Sequence, residues 1–174
     1  MIIFGVDPGT AVTGYGVIKT NNTSVTWLDS GVITTNASSA LADRLEKIHD
    51  HLQIKMKEHA PDRVCIEEAF YAKNVHTTLV LGHARGVAML AAKKAGATVS
   101  EYAPREIKKA VTGNGNATKD QVEYMIKMLL SPPEEHQYSD AYDALAIALC
   151  DFYNAGRNLQ VLMKPVAPVR KKVI

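Results

Sequence analysis

The chain reads as an α/β protein built on a five-stranded mixed sheet flanked by helices, and three observations lead there. Apolar runs of strand length recur at residues 2–7, 15–20, 25–34, 63–67 and 97–102. Helical periodicity separates the last two strands and dominates the remainder. The first three strands follow one another with only short turns between them, which makes an antiparallel meander the natural arrangement.

Residues 2–7 form a buried-type strand that ends at Asp7-Pro8-Gly9, a turn sequence. Tyr15–Thr20 and Val25–Thr34 are joined by Asn21-Asn22 as a hairpin. Ser38–Glu58 is an amphipathic helix, with Leu41, Leu45, Ile48, Leu52 and Met56 on one stripe, and Pro61-Asp62 stops it. Arg63–Glu67 is the fourth strand, Thr77–Ala95 a long helix ending at Gly96, and Ala97–Tyr102 the fifth strand. Pro104–Val111 is helical, and Gly113-Asn114-Gly115-Asn116 is a loop. In the next helix, Thr118–Leu130, Thr118 and Gln121 have the spacing of a capping box. Pro132-Pro133 breaks the chain before a last helix, 139–153, that is apolar nearly all round and therefore buried.

At 174 residues the chain is expected to be one domain, 1–155, followed by a flexible basic tail, 156–174. Lys164, Arg170, Lys171 and Lys172 put positive charge in that tail, so the net charge of +2 hides a slightly acidic body. A nucleic-acid partner is permitted by this balance but not demanded by it. Cys65 and Cys150 both sit in apolar runs and read as reduced core thiols, and two cysteines without paired Cys/His spacing argue against structural zinc. No signal-like or membrane-spanning run is visible, so a cytoplasmic protein without membrane contact is expected.

Four carboxylates stand where apolar segments meet polar ones: Asp7 and Glu67 at strand ends, Asp140 and Asp143 at the start of the last helix. Carboxylates near a core need a partner or a cation. Asp140 and Asp143, three apart, share a helix face, and Gly5 leaves room beside Asp7 on its strand face. Each position also has a bland explanation, as a turn, a strand end or a helix-dipole partner. Glu67 and Glu68 point to opposite faces, and strand parity alone does not choose between them if both faces are covered.

Phe4-Gly5-Val6-Asp7-Pro8-Gly9, Thr13-Gly14-Tyr15-Gly16-Val17, Ile66-Glu67, Ala72-Lys73-Asn74, Ala84-Arg85-Gly86-Val87-Ala88 and Ser139-Asp140-Ala141-Tyr142-Asp143-Ala144-Leu145-Ala146-Ile147-Ala148 together resemble the RuvC-type Holliday-junction resolvases. The resemblance spans about residues 1–153. It implies a ribonuclease-H-like fold with three antiparallel and two parallel strands. It also implies an endodeoxyribonuclease that resolves four-way junction DNA by paired symmetric nicks, in recombination and repair. Asp7, Glu67, Asp140 and Asp143 take the catalytic, metal-binding positions, which selects Glu67 over Glu68. Lys119 is implied as a stabiliser of transition-state charge. The expected cofactor is Mg2+, with Mn2+ substituting, up to two ions per subunit. Phe70, Tyr71, Lys73, Arg85, Lys108 and Lys119 are candidate DNA contacts. The implied partners are the junction, a second copy of the chain in a homodimer, and a branch-migration motor complex. Gly82 and Gly86, with Leu79 and Leu90, mark a helix face suited either to a close partner helix or to packing on the sheet within the chain. Other readings are a related nuclease acting on other branched or hybrid nucleic acid, a non-catalytic junction-binding protein, and an actin-like ATPase. The last needs two lobes with a second phosphate loop, which is missing here, and a longer chain.

Overall fold

The computed structural model describes residues 1–21, 23–68, 75–133 and 138–162, with side chains to residue 155. Three strands form the meander, β1 (Ile2–Asp7), β2 (Val12–Thr20) and β3 (Val25–Thr34), with β2 antiparallel to both of the others. After α1 (Leu41–His59), β4 (Arg63–Glu67) lies parallel to β1. After α2 (Val75–Lys94), β5 (Thr98–Tyr102) lies parallel to β4. Three helices complete the described chain: α3 (Pro104–Thr112), α4 (Lys119–Leu130) and α5 (Ser139–Leu162). The sheet order is β3-β2-β1-β4-β5. The C-terminal ends of β1, β3, β4 and β5 therefore all reach one edge.

The two faces of the sheet carry separate cores, as strand alternation requires. Phe4, Val6, Val64 and Ile66 pack with Ile48, Leu52 and Met56 of α1 and the alanines Ala88, Ala91 and Ala92 of α2. Ile3, Ile18 and Cys65 pack with Ile107, Val111, Val122, Ile126, Leu145 and Leu149 of α3 to α5. Each large apolar side chain so buried contributes about 1.5–3 kcal/mol. Both cysteines are buried and neither is in a disulfide, in line with the reading as reduced core thiols.

Helix α5 comes closest to the sheet, because glycines face it. Gly5 and Gly16 are register partners, and Gly14 pairs with Asp7. A Cβ on Gly5 would lie 2.0 Å from the carbonyl oxygen of Ala144, and one on Gly14 would lie 2.0 Å from that of Asp140. These bare backbone positions let the helix rest on β1 and β2. Farther along, the fully buried Asp151 fastens α5 to the neighbouring strands. It accepts from Arg63 Nε and Nη2 at 2.6 Å each and from Tyr102 Oη at 2.7 Å. A buried carboxylate of this kind is held by its partners rather than by solvent.

Four boundaries differ by two residues or more from the periodicity-based expectation. β2 begins at Val12, three residues before Tyr15, because pairing with both β1 and β3 overrides the weak strand preference of Gly14. α1 begins at Leu41 rather than Ser38. The Asn36 carboxamide oxygen accepts from Ser38 N and the Asn36 carbonyl from Ser39 N, a turn that competes with helix. α2 starts two residues early, at Val75. α5 runs on to Leu162, past the end of the apolar stripe at Tyr153. The capping box at Thr118 forms as expected, with Gln121 N donating to Oγ1 at 3.3 Å and Thr118 N donating to Oε1 at 2.9 Å.

Candidate active site

Asp7 and Glu67 end two adjacent parallel strands whose register pairs Val6 with Ile66. Strand parity now decides between the two glutamates. Cys65 faces α5, so Glu67 faces it too, whereas Glu68 points away and is exposed. The glycine contacts bring the first turns of α5 over the same end of β1. Carboxylate oxygens of Asp7, Asp140 and Asp143 consequently lie within 4.8 Å of one another. Glu67 adjoins the group, sharing a side-chain hydrogen bond with Asp7.

The electrostatics are those of acids forced together. Burial, then the fields of Glu67, Asp143 and Asp140, push the Asp7 carboxyl up to about 7. Burial, then Asp143, raises Glu67. Burial also raises Asp143, against the opposing pull of Lys119. The positive end of the α5 dipole offsets part of the repulsion. Lys119 supplies a full charge: its Nζ lies 2.7 Å from Asp143 Oδ2. It occupies the first residue of α4, where the capping box at Thr118 and Gln121 sets its direction. Burial opposes the Lys119 charge, but the hydrogen bond to Asp143 and the fields of Asp140 and Asp7 prevail and raise it. The pair is partly exposed and contributes little to stability, so its value lies in where it holds an ammonium.

A cleft of about 300 Å³ opens beside these groups, lined by Glu67, Lys108, Lys119 and Asp143 over an apolar floor of Ile107, Val122 and Ile147. Lys108, whose field lowers Glu67, thus stands with Lys119 on the α3–α4 side. Arg85 is placed differently. It is ion-paired with Glu101, a register partner of Ile66, and so belongs to the α2 face of the sheet. Phe70, Tyr71 and Lys73 lie outside the described residues. Ser139 is the first residue of α5 and donates its hydroxyl to Glu123.

Clustered carboxylates with one ion-paired ammonium among the described residues have excess negative charge and only oxygen donors. Both features suit a hard divalent cation. The contribution of Gly14 and Gly16 was not seen from spacing, although two glycines inside a strand were the available signal.

The chain matches the family model described as Crossover junction endodeoxyribonuclease RuvC over residues 3–151. It is 45% identical over 150 residues to the crossover junction endodeoxyribonuclease RuvC of Ruminiclostridium cellulolyticum, covering 86% of this chain and 90% of that one. It is 48% identical over 150 residues to that of Syntrophotalea carbinolica, covering 86% and 92%. Among solved structures it resembles Thermus thermophilus RuvC in complex with Holliday junction substrate. The TM-score is 0.84 at 30% identity, over 91% of this chain and 96% of that one. The yeast mitochondrial Holliday junction resolvase Ydc2 shares the fold, with a TM-score of 0.62 at 16% identity over 93% and 86% of the two chains. The ribonuclease-H-like architecture expected from the sequence is thereby established.

Proposed function

The chain belongs to the RuvC family of crossover junction endodeoxyribonucleases, and we propose that its acidic cleft resolves Holliday junctions by metal-dependent hydrolysis of two symmetric phosphodiesters. The observation that carries this reading is the meeting of Asp7, Asp140 and Asp143, with Glu67 beside them, at the end of β1. In this role the protein acts in homologous recombination and DNA repair.

Asp7, Glu67, Asp140 and Asp143 would hold the cations, Mg2+ or in its place Mn2+, up to two per subunit. When bound, these ions supply the Lewis acidity that phosphodiester hydrolysis needs. Asp7 sits at the centre of the acids, so it is the ligand with the most to gain from a cation. Lys119 stands 2.7 Å from Asp143, where an ammonium can stabilise charge developing on the phosphate. Lys108, on the same wall of the cleft, is a second contact for the backbone of the bound strand. Phe70, Tyr71 and Lys73 complete the proposed DNA surface, the first two by stacking on unpaired bases.

A junction with approximate two-fold symmetry is matched by a two-fold dimer. Support for a homodimer comes from the outer face of α2. Leu79 is 60% and Leu90 52% exposed, and the Cβ positions of Gly82 and Gly86 have no neighbour within 4 Å. Replacing both leucines by aspartate is expected to give a monomer by sedimentation that makes single, uncoupled nicks. A wild-type protein that stays monomeric at all usable concentrations removes the dimer. Family membership extends the proposal to cooperation with a branch-migration motor, and to action in the cytoplasm. No helix among the described residues is long and apolar enough to cross a membrane.

The deciding assay compares a synthetic four-way junction with duplex, single-stranded DNA and an RNA/DNA hybrid, with and without magnesium. Paired symmetric nicks confined to the junction are expected. Cutting of the hybrid would move the activity to another substrate, and junction binding without nicks would leave a non-catalytic binder.

A further inference from the structure

Across the β1–β2 turn from Lys108 and Lys119, the same sheet edge carries an arginine that nothing in the fold requires. β3 ends at this edge, and Thr35, the next residue, clamps the turn that follows Asp7. Its backbone N donates to the Ala11 carbonyl at 2.9 Å, and its Oγ1 donates to the Thr10 carbonyl at 2.5 Å. The same Oγ1 accepts from Arg44 Nε at 2.9 Å. Thr35 thus holds the turn and the guanidinium together.

Arg44 spends one of its five N–H donors on Thr35 and forms no ion pair among the described residues. It lies near the start of α1, the end of a helix where a cation is electrostatically unfavourable. Helix stability therefore does not explain it, and among the described residues no acid pairs with it. Its remaining donors form a planar fork suited to a phosphate. Its anchor Thr35 follows β3, on the other side of β1 from β4, where both lysines line the cleft beside Glu67. A strand seated over Asp7 would then be gripped from both sides.

Resting on the nuclease reading above, we propose that Arg44 is a DNA-backbone contact, seated by Thr35, that holds the nucleic acid flank crossing the turn after Asp7. Thr35 acts only as a positioning residue, through Arg44 and the turn.

The test is a salt titration of junction binding by fluorescence anisotropy, with calcium present in place of magnesium, for wild type and Arg44→Gln. One lost phosphate contact should reduce the slope of log affinity against log salt by about 0.9, and weaken binding roughly three- to ten-fold at moderate salt. An unchanged slope in a folded Arg44→Gln protein overturns the proposal. Where that variant does not fold, modification of the wild type by an arginine-specific reagent answers instead. Protection of Arg44 by the junction supports the contact, and equal labelling with and without junction overturns it. Wild type that neither binds nor nicks the junction would overturn the nuclease reading itself. Wild type that binds and nicks beside an Arg44→Gln variant of unchanged slope overturns Arg44 alone.

Discussion

Asp7→Asn is expected to lose junction cleavage by at least about 100-fold while retaining junction binding, and to make the metal-free protein more stable. The second half follows from the physics of the first. Asp7 has an ordinary carboxyl pKa of 3.8 when unfolded, and in the fold it is pushed up to about 7 by burial and by its acidic neighbours. The folded protein therefore holds a proton that the unfolded chain has released over this interval. The stability associated with Asp7 is intact below about 4 and is lost as pH rises through about 7. Asparagine never ionises, so its advantage over wild type grows across that window and levels off above it. The gain between pH 5 and pH 8 should be on the order of 2 kcal/mol, or about 5 °C in melting temperature. Magnesium should stabilise wild type and largely erase the difference, because it binds the ionised cluster that asparagine weakens. Melting curves at the two pH values, with and without magnesium, check all of this. Residual cutting at the wild-type rate would remove Asp7 from the chemistry, and a stability gain independent of pH would remove the crowded-acid account of its electrostatics.

Gly14→Ala is expected to cost about 100-fold in nicking rate, with a smaller effect on junction affinity. The new Cβ would stand 2.0 Å from the carbonyl oxygen of Asp140, which is helix backbone and has no rotamer to change. Either α5 lifts or β2 yields, and both separate Asp140 and Asp143 from Asp7. A misplacement of about 1 Å at a catalytic centre suffices for a rate loss of this size. Overpacking should also cost about 1–3 kcal/mol of stability. Gly31→Ala is the control, since its Cβ meets the Tyr15 side chain, not backbone, at 2.8 Å, on the sheet face opposite α5. Single-turnover nicking and calcium-supported binding separate the two effects. If Gly14→Ala nicks as fast as Gly31→Ala, close packing of α5 does not set the geometry of the site.

Much of the fold was legible because its signals are local. β3 and β4 have the boundaries their apolar runs indicate, and α4 carries the capping box that Thr118 and Gln121 announce. The misjudged starts of β2 and α1 depended on interactions outside their own periodicity, a two-sided ladder in one case and an asparagine turn in the other. In the site, Asp140 and Asp143 were readable as a pair because one helix face holds both. Choosing Glu67 over Glu68 from the residues alone required knowing which sheet face α5 covers. Arg44 and Thr35 gave no signal at all, since their association depends on where the end of β3 meets the first turn of α1.

By itself, the sequence determined the element order, the buried character of α5, the helix face shared by Asp140 and Asp143, and the family to which the chain belongs. Only the tertiary structure decided that Asp7, Asp140 and Asp143 meet, with Glu67 beside Asp7, and that Lys119 reaches Asp143. It also decided that Arg85 is tied to Glu101, away from the cleft. The reason is physical. Spacing along a chain sets the direction of side chains within one helix or strand, whereas the convergence of distant elements depends on strand register and on how closely a helix can approach. Here that approach is governed by glycines in β1 and β2 that carry no chemistry of their own.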